Sequence, residues 1–133
     1  MAGVAPIGLV IFDCDGVLVD SEEASCRLCA QAAREASMAV ADSDAVATFS
    51  GMALPLIQQM IERETGTDLG PHWADVMQAR FVSAMKEGVE PMPGVHAMLE
   101  AVHRLGVPVR VASNSSKEEM AVKFAATGLE PHF

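Results

Sequence analysis

Basic side chains are scarce in this chain. Nine Lys and Arg stand against 18 Asp and Glu, a formal net charge of −9. Nucleic acids and anionic membrane surfaces are held largely by cations, so this balance argues against both as partners. Long apolar runs are also lacking, and no stretch approaches the roughly 20 residues that span a bilayer. The stretch from Met1 to Phe12 has no basic start and runs directly into a polar motif, unlike a secretory signal peptide. A cytoplasmic location is the expectation. Cysteines are few and odd in number: Cys14, Cys26 and Cys29. Structural disulfides are not expected from such a set in a reducing compartment. Cys26-Arg-Leu-Cys29 has C-x-x-C spacing but no second ligand pair at zinc-finger distance, so it reads as small, half-buried helix residues. His96 and His103, seven apart on one predicted helix, lack nearby carboxylates at ligand spacing and read as a solvated or satisfied pair.

What the chain does have is a globular balance over 133 residues: half are hydrophobic and a fifth charged. That suits one small domain, or a domain plus part of another. Its most informative segment is Val10-Ile-Phe-Asp-Cys-Asp-Gly-Val-Leu-Val-Asp-Ser21. Val10 to Phe12 read as a buried strand of a parallel sheet. Asp13 then stands at the strand's carboxyl end, where open α/β sheets place their ligands. If the strand ran on to Asp15, both carboxylates would share one face. Crowded carboxylates call for a cation; Mg²⁺ is the usual hard partner of such oxygens and brings phosphate with it. Gly16 allows a sharp turn and backbone N–H groups pointing inward at an anion.

Asp13 to Ser21 resemble the first motif, D-x-D-G-x-x-x-D-S, of the haloacid dehalogenase-like hydrolases, in their phosphatase and phosphomutase branch. The resemblance implies Asp13 as the nucleophile that becomes an aspartyl-phosphate. It implies Asp15 as the acid that protonates the leaving alcohol and then the base that activates water. The Asp13 carboxylate and the Asp15 backbone carbonyl would ligate Mg²⁺. These roles suit the residue types, since carboxylates serve both as covalent nucleophiles and as proton carriers.

The rest of the pattern gives an order of elements. A strand covers about Ile7 to Phe12 and a loop Cys14 to Asp20. Ser21 is a candidate N-cap for a helix to about Ser37, with Glu22 and Glu23 in its first turn. A short helix from Asp42 or Ser43 to Phe49 breaks at Ser50-Gly51. Leu54, Ile57, Met60 and Ile61 keep helical spacing up to Thr65-Gly66. Pro71 opens the next helix, with Trp73, Val76, Met77, Arg80, Phe81 and Ala84 as its core-facing stripe. Gly88 to Gly94, with Pro91 and Pro93, mark a boundary. An amphipathic helix then carries Val95, Met98, Leu99, Val102 and Leu105. Val107, Val109 and Val111 alternate as a strand, and a last helix runs to about Thr127, closed by Gly128.

This layout resembles an α/β, Rossmann-like parallel-sheet core, incomplete in this chain, with an inserted all-helical cap. Residues 1–20 and 88–133 would form the core and 21–87 the cap, hinged at Pro91-Met-Pro93-Gly94. The second family motif fits Val109-Arg-Val-Ala-Ser113-Asn114-Ser115. The Ser113 hydroxyl and Asn114 N–H would hold phosphoryl oxygens, with Gly16 beside them. Free donors at a strand-to-helix turn do bind anions. Lys117 reads as solvated.

The expected third motif, a lysine or arginine, and fourth, an acidic pair, have no counterpart before Phe133; neither Lys86 nor Lys123 is an obvious substitute. The expectation is therefore a truncated chain, inactive alone, with one side of its first strand unpaired and open to self-association or to the remaining half. Asp15 speaks for phosphoryl transfer rather than dehalogenation. A single cap lysine, Lys86, far from the site, speaks against a Schiff-base route. The apolar Met52-Ala-Leu-Pro55, where phosphomutases carry basic residues, favours a Mg²⁺-dependent phosphatase acting on a small phosphomonoester such as a sugar phosphate. The alternatives are a β-phosphoglucomutase-like phosphomutase and a non-catalytic fragment acting as a binding or interaction module.

Overall fold

The computed structural model describes residues 3–133; Met1 and Ala2, the start of the first core segment, lie outside the described residues. Strand β1, Val10–Phe12, lies parallel to β4, Val109–Val111, with Val10 opposite Val109 and Phe12 opposite Val111. The first strand is shorter than expected, because residues 7–9 stay exposed and make no ladder. Among the described residues β1 has no second neighbour, and Ile11 is 61% exposed. A second, antiparallel pair joins β2, Val19–Asp20, to β3, Glu90–Pro91. Strands of two residues carry no periodicity, so this ladder is not legible in the sequence pattern. It ties together the two chain crossings that flank residues 21–87.

Four helices lie between those crossings: α1, Glu22–Glu35; α2, Ala45–Phe49, entered by a 3₁₀ turn at Asp42–Asp44; α3, Leu54–Thr65; and α4, Trp73–Glu87. They bury one cluster that includes Cys29, Ala33, Phe49, Ile61, Met77 and Phe81. The buried line of α4 is Met77, Phe81 and Met85, spaced four apart. Val76, placed on the core stripe by its spacing, is 50% exposed. Val76 stands about 100° round the helix from Met77 and so falls off the buried line, on the outer face.

A separate cluster of Cys14, Leu18, Val19, Val95, Leu99 and Leu129 joins the strands to α5, Val95–Arg104, and α6, Lys117–Thr127. Each large side chain buried in either cluster is worth about 1.5–3 kcal/mol. Helix α6 has both ends fixed. The Ser116 hydroxyl accepts from the Glu119 N–H at 3.1 Å, and Gly128 closes the helix at φ 72°, a conformation glycine adopts without penalty.

Candidate active site

The parallel register sets the site. Phe12 and Val111 are partners, so the chain leaves both strands side by side; the Ala112 N–H still donates to the Phe12 carbonyl at 2.9 Å. Asp13 follows immediately at this carboxyl edge, and Ser113 one residue beyond Ala112. Asp13 is exposed, and its Oδ1 accepts from the Cys14 N–H at 2.8 Å. Asp13, Asp15, Asn114 and Ser115 all face a cavity of about 430 Å³, walled on its far side by residues of α1, α3 and α4.

Three groups hold the Asp15 carboxylate, which keeps one side open to the cavity. Oδ1 accepts from Ser21 Oγ at 2.6 Å and from Lys123 Nζ at 2.5 Å, and Oδ2 accepts from Ser115 Oγ at 3.0 Å. Lys123 also donates to Ser115 Oγ at 3.0 Å and pairs with Glu119 Oε1 at 2.7 Å. Glu119 Oε2 in turn accepts from Gln78 Nε2 of α4 at 2.6 Å. Burial by itself would raise the Asp15 carboxyl. The bonds from Lys123 and Ser21, the lysine charge and the Ser115 hydroxyl outweigh burial and hold the group below the ordinary carboxylate value. The converse applies to Lys123: burial would lower it, but its bonds to Asp15 and Glu119 prevail and raise it.

Several expectations need correction here. Lys123, set aside on sequence, is wholly buried with its ammonium on Asp15. Its signal was present but unread: Glu119, Lys123 and Thr127 lie four apart and form a polar stripe on the inward face of α6. Ser21 precedes α1 as foreseen, but its hydroxyl makes no cap bond and goes to Asp15 instead. Gly16 does not offer its N–H to an anion. That N–H donates to the Val19 carbonyl at 2.8 Å, closing a turn in which Gly16 sits at φ 75°. Ser113 Oγ accepts from the Ser115 N–H at 3.1 Å. The cavity wall is formed by Asn114 and Ser115 rather than Ser113. Lys117 and Lys86 are exposed, and neither lines the cavity.

Mg²⁺ takes one or two carboxylates and completes its shell with waters and phosphate oxygens. The exposed Asp13 carboxylate and the neighbouring Asp15 carbonyl are oxygen donors of that kind. Because Lys123 and Ser21 already hold the Asp15 carboxylate, the carbonyl is the Asp15 oxygen that a cation would take without displacing them. No cluster of three or more His, Cys, Asp or Glu arranged for a metal occurs among the described residues.

A parallel sheet whose carboxyl edge carries two aspartates facing helices α1, α3 and α4 defines an α/β protein built around a carboxylate-centred cavity. The family model for haloacid dehalogenase-like hydrolases matches residues 10–133, and the chain belongs to that family. It is 27% identical over 127 residues to a phosphoglycolate phosphatase of Rhodobacter capsulatus, covering 93% of this chain and 58% of the relative. It is 30% identical over 115 residues to a 6-phosphogluconate phosphatase of Escherichia coli (strain K12), covering 86% and 51%. A solved haloacid dehalogenase-like protein of unknown function from Agrobacterium tumefaciens superposes with TM-score 0.76 at 30% identity, over 96% of this chain and 56% of that one. The match shows a Rossmann-like fold whose core is incomplete in this chain. The chain spans little more than half the length of these relatives.

Proposed function

We propose that the whole protein is a phosphatase that hydrolyses a small phosphomonoester through an aspartyl-phosphate on Asp13. The carrying observation is the meeting of Asp13 and Asp15 with Asn114 and Ser115 on one cavity at the carboxyl edge of β1 and β4. Residues 1–20 and 88–133 act as the core and 21–87 as the cap, in keeping with the two separate buried clusters.

In this reading an Asp13 oxygen attacks phosphorus, and the ester oxygen leaves with a proton from Asp15. Water then attacks the acyl-phosphate, Asp15 takes its proton, and phosphate departs with Asp13 restored. Asn114, on the cavity wall beside Asp13 and Asp15, would hold a phosphoryl oxygen. The Asp13 carboxylate and Asp15 carbonyl would hold Mg²⁺, which when bound neutralises charge on the phosphoryl group. Asp15 is held as carboxylate, the form needed for the second half of the cycle. Its acid step draws on a small protonated fraction, so esters of acidic alcohols should react fastest.

The test is turnover of the whole protein on a panel of phosphomonoesters, with and without Mg²⁺. Hydrolysis lost on chelation and restored by Mg²⁺ is expected, with aryl phosphates ahead of alkyl ones. Full activity in a chelator, or none on any phosphomonoester, would overturn the proposal.

A further inference from the structure

The cavity that faces Asp13 and Asp15 is unusual in its charge. Its lining includes five carboxylates, Asp13, Asp15, Glu22, Asp75 and Glu119, and no Lys, Arg or His among the described residues. The nearest ammonium, Lys123, lies beneath the wall. It is wholly buried and already committed to Asp15 and Glu119. On the cap side the wall is apolar, formed by Phe49, Met52, Leu54, Ile57 and Phe81. The polar groups available to a ligand there are few. Ser25 and Gln78 are neutral, and Gln78 is held by Glu119 at 2.6 Å. Glu22, which accepts a hydrogen bond from Ser50 Oγ, faces the same space.

A phosphoryl group at Asp13 directs the rest of its molecule toward that cap wall. A second anionic group there would meet carboxylates and hydrocarbon and, among the described lining residues, no Lys, Arg or His, with the His72 ring standing 3.9 Å from Asp75 at the edge; its own charge would be poorly paired. Discrimination of this kind comes from repulsion as much as from attraction. From this we infer that the leaving group is uncharged: a neutral alcohol or polyol, not a carboxylate-bearing or second phosphate-bearing one. The inference rests on the proposed phosphatase reading and narrows its substrate class. It also separates this chain from relatives whose names specify carboxylated substrates.

The test uses matched pairs that differ only in the tail: phosphoglycolate against 2-hydroxyethyl phosphate, and 6-phosphogluconate against sorbitol 6-phosphate. Each pair exchanges a carboxylate for a hydroxymethyl group. The whole protein should show kcat/KM at least tenfold higher for the neutral member of each pair, the difference lying mainly in KM. Met52→Arg places a cation on the wall and should narrow or reverse the preference. Asp75→Asn, at an exposed position on the first turn of α4, removes one of the five charges without disturbing a core and should narrow it in the same direction. Equal or better turnover of the carboxylated member by the unmutated protein would overturn this inference and leave the phosphatase reading standing. So would a preference unmoved by both variants. Absence of turnover on every member, with an aryl phosphate also inert, would overturn both.

Discussion

Lys123 Nζ lies 2.5 Å from Asp15 Oδ1, with the lysine side chain 1% exposed and the aspartate 35% exposed. A helix residue 108 positions away in sequence therefore fixes the orientation of the second aspartate of the first motif. Through Glu119 and Gln78 the same contact reaches helix α4.

Removing this lysine should be costly. Breaking a buried pair by deleting one partner typically costs 3–5 kcal/mol, and the partial exposure of Asp15 screens some of that. Lys123→Met should lose about 3 kcal/mol of unfolding free energy, measured by urea titration. A loss below about 1 kcal/mol would show that the pair contributes little.

The same pair sets the shape of the stability profile. The Asp15 carboxyl is lowered on folding, so its contribution is present above the ordinary value of about 3.9 and is lost as pH falls through the lower folded value. Lys123 is raised, so its contribution is full below about 10.4 and is lost as pH rises through the higher folded value. Unfolding free energy should show an acid limb below the carboxylate range and an alkaline limb above the lysine range. Asp15→Asn should shrink the acid limb; an unchanged limb in that variant would assign it to other carboxylates.

Gly16 offers a local test of the turn between the two aspartates and Ser21. Its φ is 75°, and an added Cβ would come within 3.3 Å of Glu22 Oε2. Gly16→Ala should cost about 1–2 kcal/mol through the left-handed conformation. Thermal unfolding would measure it, and an unchanged midpoint would show that the turn relaxes freely.

The cysteines should be silent in the folded protein. Burial and then the Asp15 charge push the Cys14 thiol up to about 12, and burial and then Cys26 push Cys29 up to about 12. Neither can supply much thiolate near neutral pH. A chromogenic disulfide reagent should label them slowly in buffer and fast in denaturant. Rapid labelling in buffer would show that one or both are accessible.

The legible part of the site was its local part. An apolar strand ending in Asp13-Cys14-Asp15-Gly16 signals the edge of a parallel sheet by itself, and the valine alternation to Ser113 signals its neighbour. Helix α6 was equally readable, because Ser116 and Gly128 mark its ends. Tertiary contacts hid the rest. The ladder of Val19–Asp20 with Glu90–Pro91 joins residues some 70 apart and leaves no periodicity in two-residue strands. Ser21 looks like any N-cap until Asp15 is seen to take its hydroxyl. Lys123 carries no sign of its role unless the stripe Glu119, Lys123, Thr127 is read as an inward polar face. Gly16 was rightly read as a turn, but its N–H had to close that turn and so was not free for an anion.

The central claim is that Asp13 becomes phosphorylated during turnover. It is tested most directly by quenching the whole protein with acid while it turns over a phosphomonoester, reducing with borohydride, and locating the modified carboxyl by mass spectrometry. Modification is expected at Asp13 in the unmutated protein. Asp13→Asn should show neither modification nor turnover while keeping its fold, and Asp15→Asn should turn over about 10²–10⁴-fold more slowly. Retained turnover in Asp13→Asn, or modification at any other residue, would contradict it.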